Sequence, residues 1–194
     1  MKFDWKKNCN VPNALTMLRM LMIPVYIVLF VKGNKYWALA TFVIAGLTDV
    51  LDGMIARRYD LITDFGKLMD PLADKLMSIT AVLSMAIGND LIQPVVPWIV
   101  VIVFLGKEGL MLLGGVLMLG RKIVVYSKPI GKAAQVLFTV GLTATYFHEQ
   151  LSGLWGLQIA PDVLLLYAAM VLTLAALVFY AVSSVKQLKR LNSK

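Results

Sequence analysis

The sequence predicts an all-α polytopic membrane protein of six transmembrane helices, with an N-terminal interfacial segment, in a single domain over residues 1–194. Three observations predict it. Hydrophobic residues make up 59% of the chain against 15% charged, with a mean hydropathy of +0.77. Apolar runs of membrane-spanning length recur from one end to the other. Several of these runs are apolar all round, which a soluble helical bundle would not tolerate. The basic residues that give the chain its +8 charge are gathered in a few places between the runs.

Residues 1–12 carry Lys2, Lys6 and Lys7 with Phe3, Trp5 and Val11 interleaved, the composition of a segment lying on an anionic lipid surface. The first span is expected at 13–31. Its apolar run is long for a signal peptide, has no evident small-residue cleavage site, and is followed by further spans. Lys32-Gly33-Asn34-Lys35 separates it from the second span, 36–57. The third is expected at 65–87, ending at Gly88-Asn89-Asp90. Pro94 and Pro97 fall at the start of the fourth, 94–119, where proline is best tolerated. The fifth is placed at 130–147 and the sixth at 162–185. Between them, the segment from His148 to Pro161 reads as a loop holding Trp155, an interface residue type.

Charge sets the orientation. Lys2 to Arg19, Arg57 to Lys67, Arg121 to Lys132 and Lys186 to Lys194 are the basic clusters. Six spans with both termini in the cytoplasm put all four clusters on the cytoplasmic side, as the positive-inside rule requires.

The chemistry is concentrated between Asp49 and Asp74. Asp49 and Asp52 are three residues apart, and Asp70 and Asp74 four apart, so each pair shares a helix face. The polar stretch from Arg57 to Asp64 is short enough to turn one helix back on the next. Clustered carboxylates stay ionised only with cations among them, and their hard oxygens suit Mg²⁺ or Mn²⁺. Gly53 and Ala56 leave a gap in side-chain bulk beside the acids, and Arg57 offers a planar cation suited to phosphate. Metal, gap and guanidinium describe a diphosphate site. Buried salt bridges at a helix junction, as in a small transporter or cation channel, are the competing reading, but give no reason for Gly53, Ala56 and Arg57. Cys9 is a lone cysteine and implies no disulfide; His148 reads as an outer loop residue.

The pattern Asp49-x-x-Asp52-Gly53-x-x-Ala56-Arg57, eight residues, Gly66, three residues, Asp70, three residues, Asp74 resembles the signature of the CDP-alcohol phosphotransferase family, with every motif position filled. The resemblance implies a six-helix, usually homodimeric membrane enzyme that moves a phosphatidyl or similar group from a CDP-linked donor to an alcohol and releases CMP. It implies that Asp49, Asp52, Asp70 and Asp74 are metal ligands, that Asp74 is the general base with Asp70 beside it as a catalytic carboxylate, and that Gly53, Ala56, Arg57 and Gly66 accommodate the CDP group. No nucleic-acid partner is expected.

Within the family the chain is most similar to the bacterial phosphatidylglycerophosphate synthases. The segments that carry this likeness are Val11-Pro12-Asn13 to Thr16 and Arg19, Thr63 to Lys75, and Ile130-Gly131-Lys132 with Gln135. The implied donor is CDP-diacylglycerol and the implied acceptor glycerol-3-phosphate. Arg121, Lys132 and Lys107 are then candidates to hold the acceptor phosphate. One departure stands out: Lys107-Glu108 replaces an Arg-Glu pair, and a lysine cannot reproduce a bidentate guanidinium. A cardiolipin synthase using phosphatidylglycerol, or a transferase of the phosphatidylserine or phosphatidylinositol type, stays open on that ground.

Overall fold

The computed structural model describes residues 11–59, 63–118, 129–153 and 159–192. Seven helices account for nearly all of them: α1 (Val11–Val31), α2 (Lys35–Arg58), α3 (Asp64–Ile87), α4 (Trp98–Met118), α5 (Pro129–Thr145), α6 (His148–Ser152) and α7 (Pro161–Asn192). Among the described residues, three stretches are long and apolar enough to cross a membrane: Val11–Val31, Lys35–Ile55 and Pro161–Tyr180. Helix α3 carries Asp70, Asp74 and Lys75 in its first half, and α5 has only 17 residues. The expected interfacial segment lies almost wholly outside the described residues.

Most element boundaries fall within a few residues of expectation, and the exceptions have local causes. The fourth helix starts at Trp98 rather than at 94, because Pro97 stands outside it and its carbonyl accepts from the Val100 and Val101 amides. The fifth ends at Thr145, with Tyr146 and Phe147 in a turn instead of in the helix. The segment expected as a loop from His148 onward opens with α6, so His148 is a helical residue. Helix α7 continues to Asn192, well past 185. Lys186 and Lys189 end the apolar stretch, but lysine is a good helix former and does not end a helix.

The chain divides into two compact units, Met1–Pro94 and Val95–Lys194. In the first, α1 packs against both α2 and α3. Its interior is built from Tyr26 and Phe30 of α1, Ala38, Phe42 and Ala45 of α2, and Ala73, Met77, Ala81 and Met85 of α3. Small alanines alternate with large residues, so the helices approach closely. The outward faces are apolar too: Leu21, Val25 and Val28 of α1 and Leu47, Val50 and Met54 of α2 are exposed. That is the pattern of helices meant for lipid, where outward hydrophobes cost nothing.

Two ties fix α1 to α3. Near the start of both, Thr63 Oγ1 donates to Asn13 Oδ1 at 3.0 Å. At the other end, Asn89 Nδ2, just past α3, donates to the carbonyl of Phe30, in the last turn of α1, at 2.8 Å. The two helices therefore run in the same direction. The chain leaves α3 through Gly88 at φ +66°, a left-handed conformation that glycine adopts without a Cβ penalty. Asn89 Oδ1 then accepts from the Leu91 and Ile92 amides, closing the turn.

In the second unit, α7 packs on α5 and on α4. Phe104 and Phe138 stack with centroids 4.4 Å apart, and Val100, Leu142, Tyr146, Leu166 and Ala169 are buried.

Candidate active site

The site in the first unit is assembled from α1 outward. Asn13, Thr16 and Arg19 follow one another at intervals of three residues, so they form a polar stripe on one face of an otherwise apolar helix. All three are buried. Each meets a different part of the acid motif, so α1 touches both of the helices that carry it.

Arg19 is the centre of the arrangement. Its side chain is 1% exposed and lies along α2. Nε donates to the Ala45 carbonyl at 3.3 Å, and Nη2 donates to Asp52 Oδ2 at 2.6 Å. Nη1 stands 2.9 Å from Asp49 Oδ1, an ion pair whose angles do not make a hydrogen bond. Ala45, Asp49 and Asp52 are four and then three residues apart, which is why one guanidinium reaches all of them. The two acids differ in setting: the Asp52 side chain is 4% exposed and that of Asp49 42%.

Asp70 comes from α3. The Thr16 hydroxyl, which also lies 3.1 Å from the Pro12 carbonyl, donates a hydrogen bond to Asp70 Oδ1. Asp70 is half-buried and close enough for its charge to act on Asp52, as Asp49 does. Asp74, one turn further along α3, is exposed and engaged with a partner.

Gly66 sits where the two halves of the site meet. Thr63 caps α3 by accepting from the Gly66 amide at 3.0 Å, which satisfies one of the free donors at the helix start. A Cβ at position 66 would fall 2.9 Å from Asn13 Oδ1 and 3.2 Å from Thr63 Oγ1. The glycine thus makes room for the contact between α1 and α3, which is a structural demand in addition to the expected one for the CDP group. Gly53 is half-buried on α2. Ala56 and Arg57 lie on the last turns of α2, and their side chains fall outside the described set.

The structure thus brings Asp49, Asp52 and Asp70 toward Arg19 and Thr16. Among the described residues, no three acidic, histidine or cysteine side chains stand close enough to enclose one metal ion. The donor set nevertheless has the chemistry a hard divalent cation requires. Among the described residues, three carboxylates and one guanidinium gather around Asp52, a surplus of negative charge in a poorly hydrated place.

The three candidates for an acceptor phosphate fare differently. Lys107 Nζ is 2.6 Å from Glu108 Oε1 and 2.8 Å from Gln135 Oε1, and lies 5.2 Å from the centre of the Phe104 ring. Lys132 is exposed on the first turn of α5. Arg121 lies outside the described residues.

Sequence reasoning assigned no role to Asn13, Thr16 or Arg19. The readable signal was an arginine inside an apolar run, with polar residues three and six positions before it.

A model of the CDP-alcohol phosphatidyltransferase family matches residues 9–183. The chain is 53% identical over 72 residues to a CDP-diacylglycerol–glycerol-3-phosphate 3-phosphatidyltransferase of Rickettsia typhi, covering 35% of this chain and 40% of that protein. It is 37% identical over 105 residues to a probable phosphatidylglycerophosphate synthase of Mycobacterium tuberculosis, covering 51% and 48%. A CDP-diacylglycerol–glycerol-3-phosphate 3-phosphatidyltransferase of Aquifex aeolicus is 28% identical over 134 residues, covering 69% and 73%. The match thus spans less than half the length of the first two relatives. With the family model extending over nearly the whole chain, and helices fit to cross a bilayer, this is a membrane protein of the CDP-alcohol phosphatidyltransferase family.

Proposed function

We propose that the protein transfers a phosphatidyl group from CDP-diacylglycerol to glycerol-3-phosphate, giving phosphatidylglycerophosphate and CMP. The observation that carries this is the convergence of carboxylates from α2 and α3 on one buried face of α1. The relatives' names supply the substrate pair.

The hydroxyl oxygen of the acceptor attacks the phosphorus that bears the diacylglyceryl group. The phosphoanhydride bond breaks, and its electron pair leaves with CMP. Asp74, an exposed carboxylate one turn beyond Asp70 on α3, accepts the hydroxyl proton on this reading, a contribution worth roughly 10²–10⁴-fold. Asp49, Asp52, Asp70 and Asp74 would hold Mg²⁺ or Mn²⁺, which when bound supplies charge stabilisation at the diphosphate. Gly53, Ala56, Arg57 and Gly66 accommodate the CDP group. On the same reading Arg121, Lys132 and Lys107 are the cations assigned to the acceptor phosphate.

The membrane arrangement belongs to the same proposal. Six spans in one family domain place both termini and the acid motif on the cytoplasmic side, with the donor's acyl chains in the bilayer and its headgroup in the site. The protein works as a homodimer.

The test is CMP release by purified protein given CDP-diacylglycerol and Mg²⁺ or Mn²⁺, with glycerol-3-phosphate, phosphatidylglycerol, serine and inositol offered separately. Release with glycerol-3-phosphate alone is expected. EDTA abolishes it, and Asp74→Asn lowers it at least about 100-fold in protein that stays folded. Turnover with another acceptor overturns the named activity, and no metal-dependent release with any acceptor overturns the mechanism.

A further inference from the structure

Three carboxylates of the acid motif are held in the same manner. Asp49 meets Arg19 through Oδ1, Asp52 meets it through Oδ2, and Asp70 meets Thr16 through Oδ1. In each case α1 engages one oxygen and leaves the other. Arg19 does not grip either carboxylate with both arms of its fork, although that is the geometry guanidinium groups favour with a single acid. It divides its arms between two acids and gives its third donor to the Ala45 carbonyl. The side chain cannot withdraw to solvent, being 1% exposed.

Two roles are compatible with a cation at this place. Arg19 could be a stand-in that a divalent ion displaces, or a fixture that stays while the ion binds. Displacement would strand a buried guanidinium without its two acids, which is strongly unfavourable. Staying costs some repulsion between like charges. It leaves one oxygen each of Asp49, Asp52 and Asp70 outside these contacts with α1, as with metal-ligating carboxylates whose far side is hydrogen-bonded.

We propose that Arg19 is a positioning residue: its guanidinium bridges Asp49 and Asp52 and fixes their orientation, so that the remaining oxygens bind the divalent cation while Arg19 stays in place. The inference rests on the metal assignment made above for the aspartates. Orientation outweighs repulsion here because without the bridge Asp49, Asp52 and Asp70 repel one another and turn apart.

The experiment is a Mn²⁺ titration of the purified full chain, read by the electron paramagnetic resonance signal of free Mn²⁺, with thermal stability measured alongside. Arg19→Gln is expected to weaken Mn²⁺ binding about 10–100-fold, the usual cost of losing an outer partner of a metal ligand. Arg19→Lys keeps the charge but cannot span two carboxylates, and is expected to fall between Arg19→Gln and the unsubstituted protein. Unchanged or tighter binding by folded Arg19→Gln overturns the inference. Should that variant fail to fold, Arg19→Lys decides alone: unaltered affinity means that charge without the bridge is enough, and weakened affinity at near-normal stability upholds the bridge. If the unsubstituted protein binds no Mn²⁺, the metal assignment falls and this inference with it.

Discussion

Each compact unit buries a cation against carboxylate, and the two do so in opposite ways. In the second unit Lys107 faces one acid, Glu108, with Gln135 of α5 as a neutral neighbour. Both charged side chains are nearly buried, at 14% and 11% exposure. In the first unit Arg19 faces two acids, with a third in range of the second. In one, a single acid and a single cation face each other and Gln135 ties α4 to α5; in the other, the acids among the described residues outnumber the cation and are shared by three helices. Neutral pairs ask nothing more of their surroundings. A surplus calls for a further cation, and that is what separates a fastening from a binding site.

Breaking the neutral pair should give the largest effect on stability. Lys107→Met leaves Glu108 without this cation in a nearly dry place, and is expected to cost about 3 kcal/mol of stability. The double variant Lys107→Met, Glu108→Gln should recover most of the loss. Thermal unfolding of both, with Mn²⁺ binding measured in parallel, checks the comparison: unfolding moves and the ion's affinity does not. An affinity change as large as that from Arg19→Gln would erase the distinction between the two units.

Thr16→Val comes next and should act in the opposite sense. It keeps the shape of the side chain and removes the hydrogen bond to Asp70. Bonds to charged groups are worth about 1.5–3 kcal/mol, and here most of that is expected in function. Metal-dependent CMP release should fall about tenfold, equivalent to about 1.4 kcal/mol, with a small change in melting temperature. A large melting shift with full activity would mark Thr16 as a packing residue.

Thr63→Ala is expected to have the smallest effect. It removes the cap of α3 and one tie to Asn13, at a cost of about 1 kcal/mol. Chemical denaturation measures it. A loss several times larger would show that the tie to α1, and not the cap, is what Thr63 provides.

Much of the architecture could be read from local pattern. Runs of apolar residues located the long helices, and the aspartate spacing indicated which acids share a face. The misses were of two kinds. One was local chemistry misjudged: Pro97 precedes its helix instead of opening it. Others were pairings between distant stretches, which no local period encodes. Arg19 finds Asp52 33 positions away, and Thr16 finds Asp70 54 positions away. Arg19 was grouped with the N-terminal basic residues, although its place inside an apolar run already required a buried partner. Lys107 is conspicuous in the sequence by its charge alone, whereas its pairing with Gln135, 28 positions away, is visible only in the structure.

The paired ties between α1 and α3 bear on registry. Asn13 meets Thr63 at one end, and Phe30 meets Asn89 at the other, about 25 Å apart along α1. Sliding one helix along the other by a single turn, about 5.4 Å, breaks both ties together. The seating of Thr16 against Asp70 is thus held from both ends of a rail, and the acid motif inherits its alignment in part from a turn at the far end of the bundle.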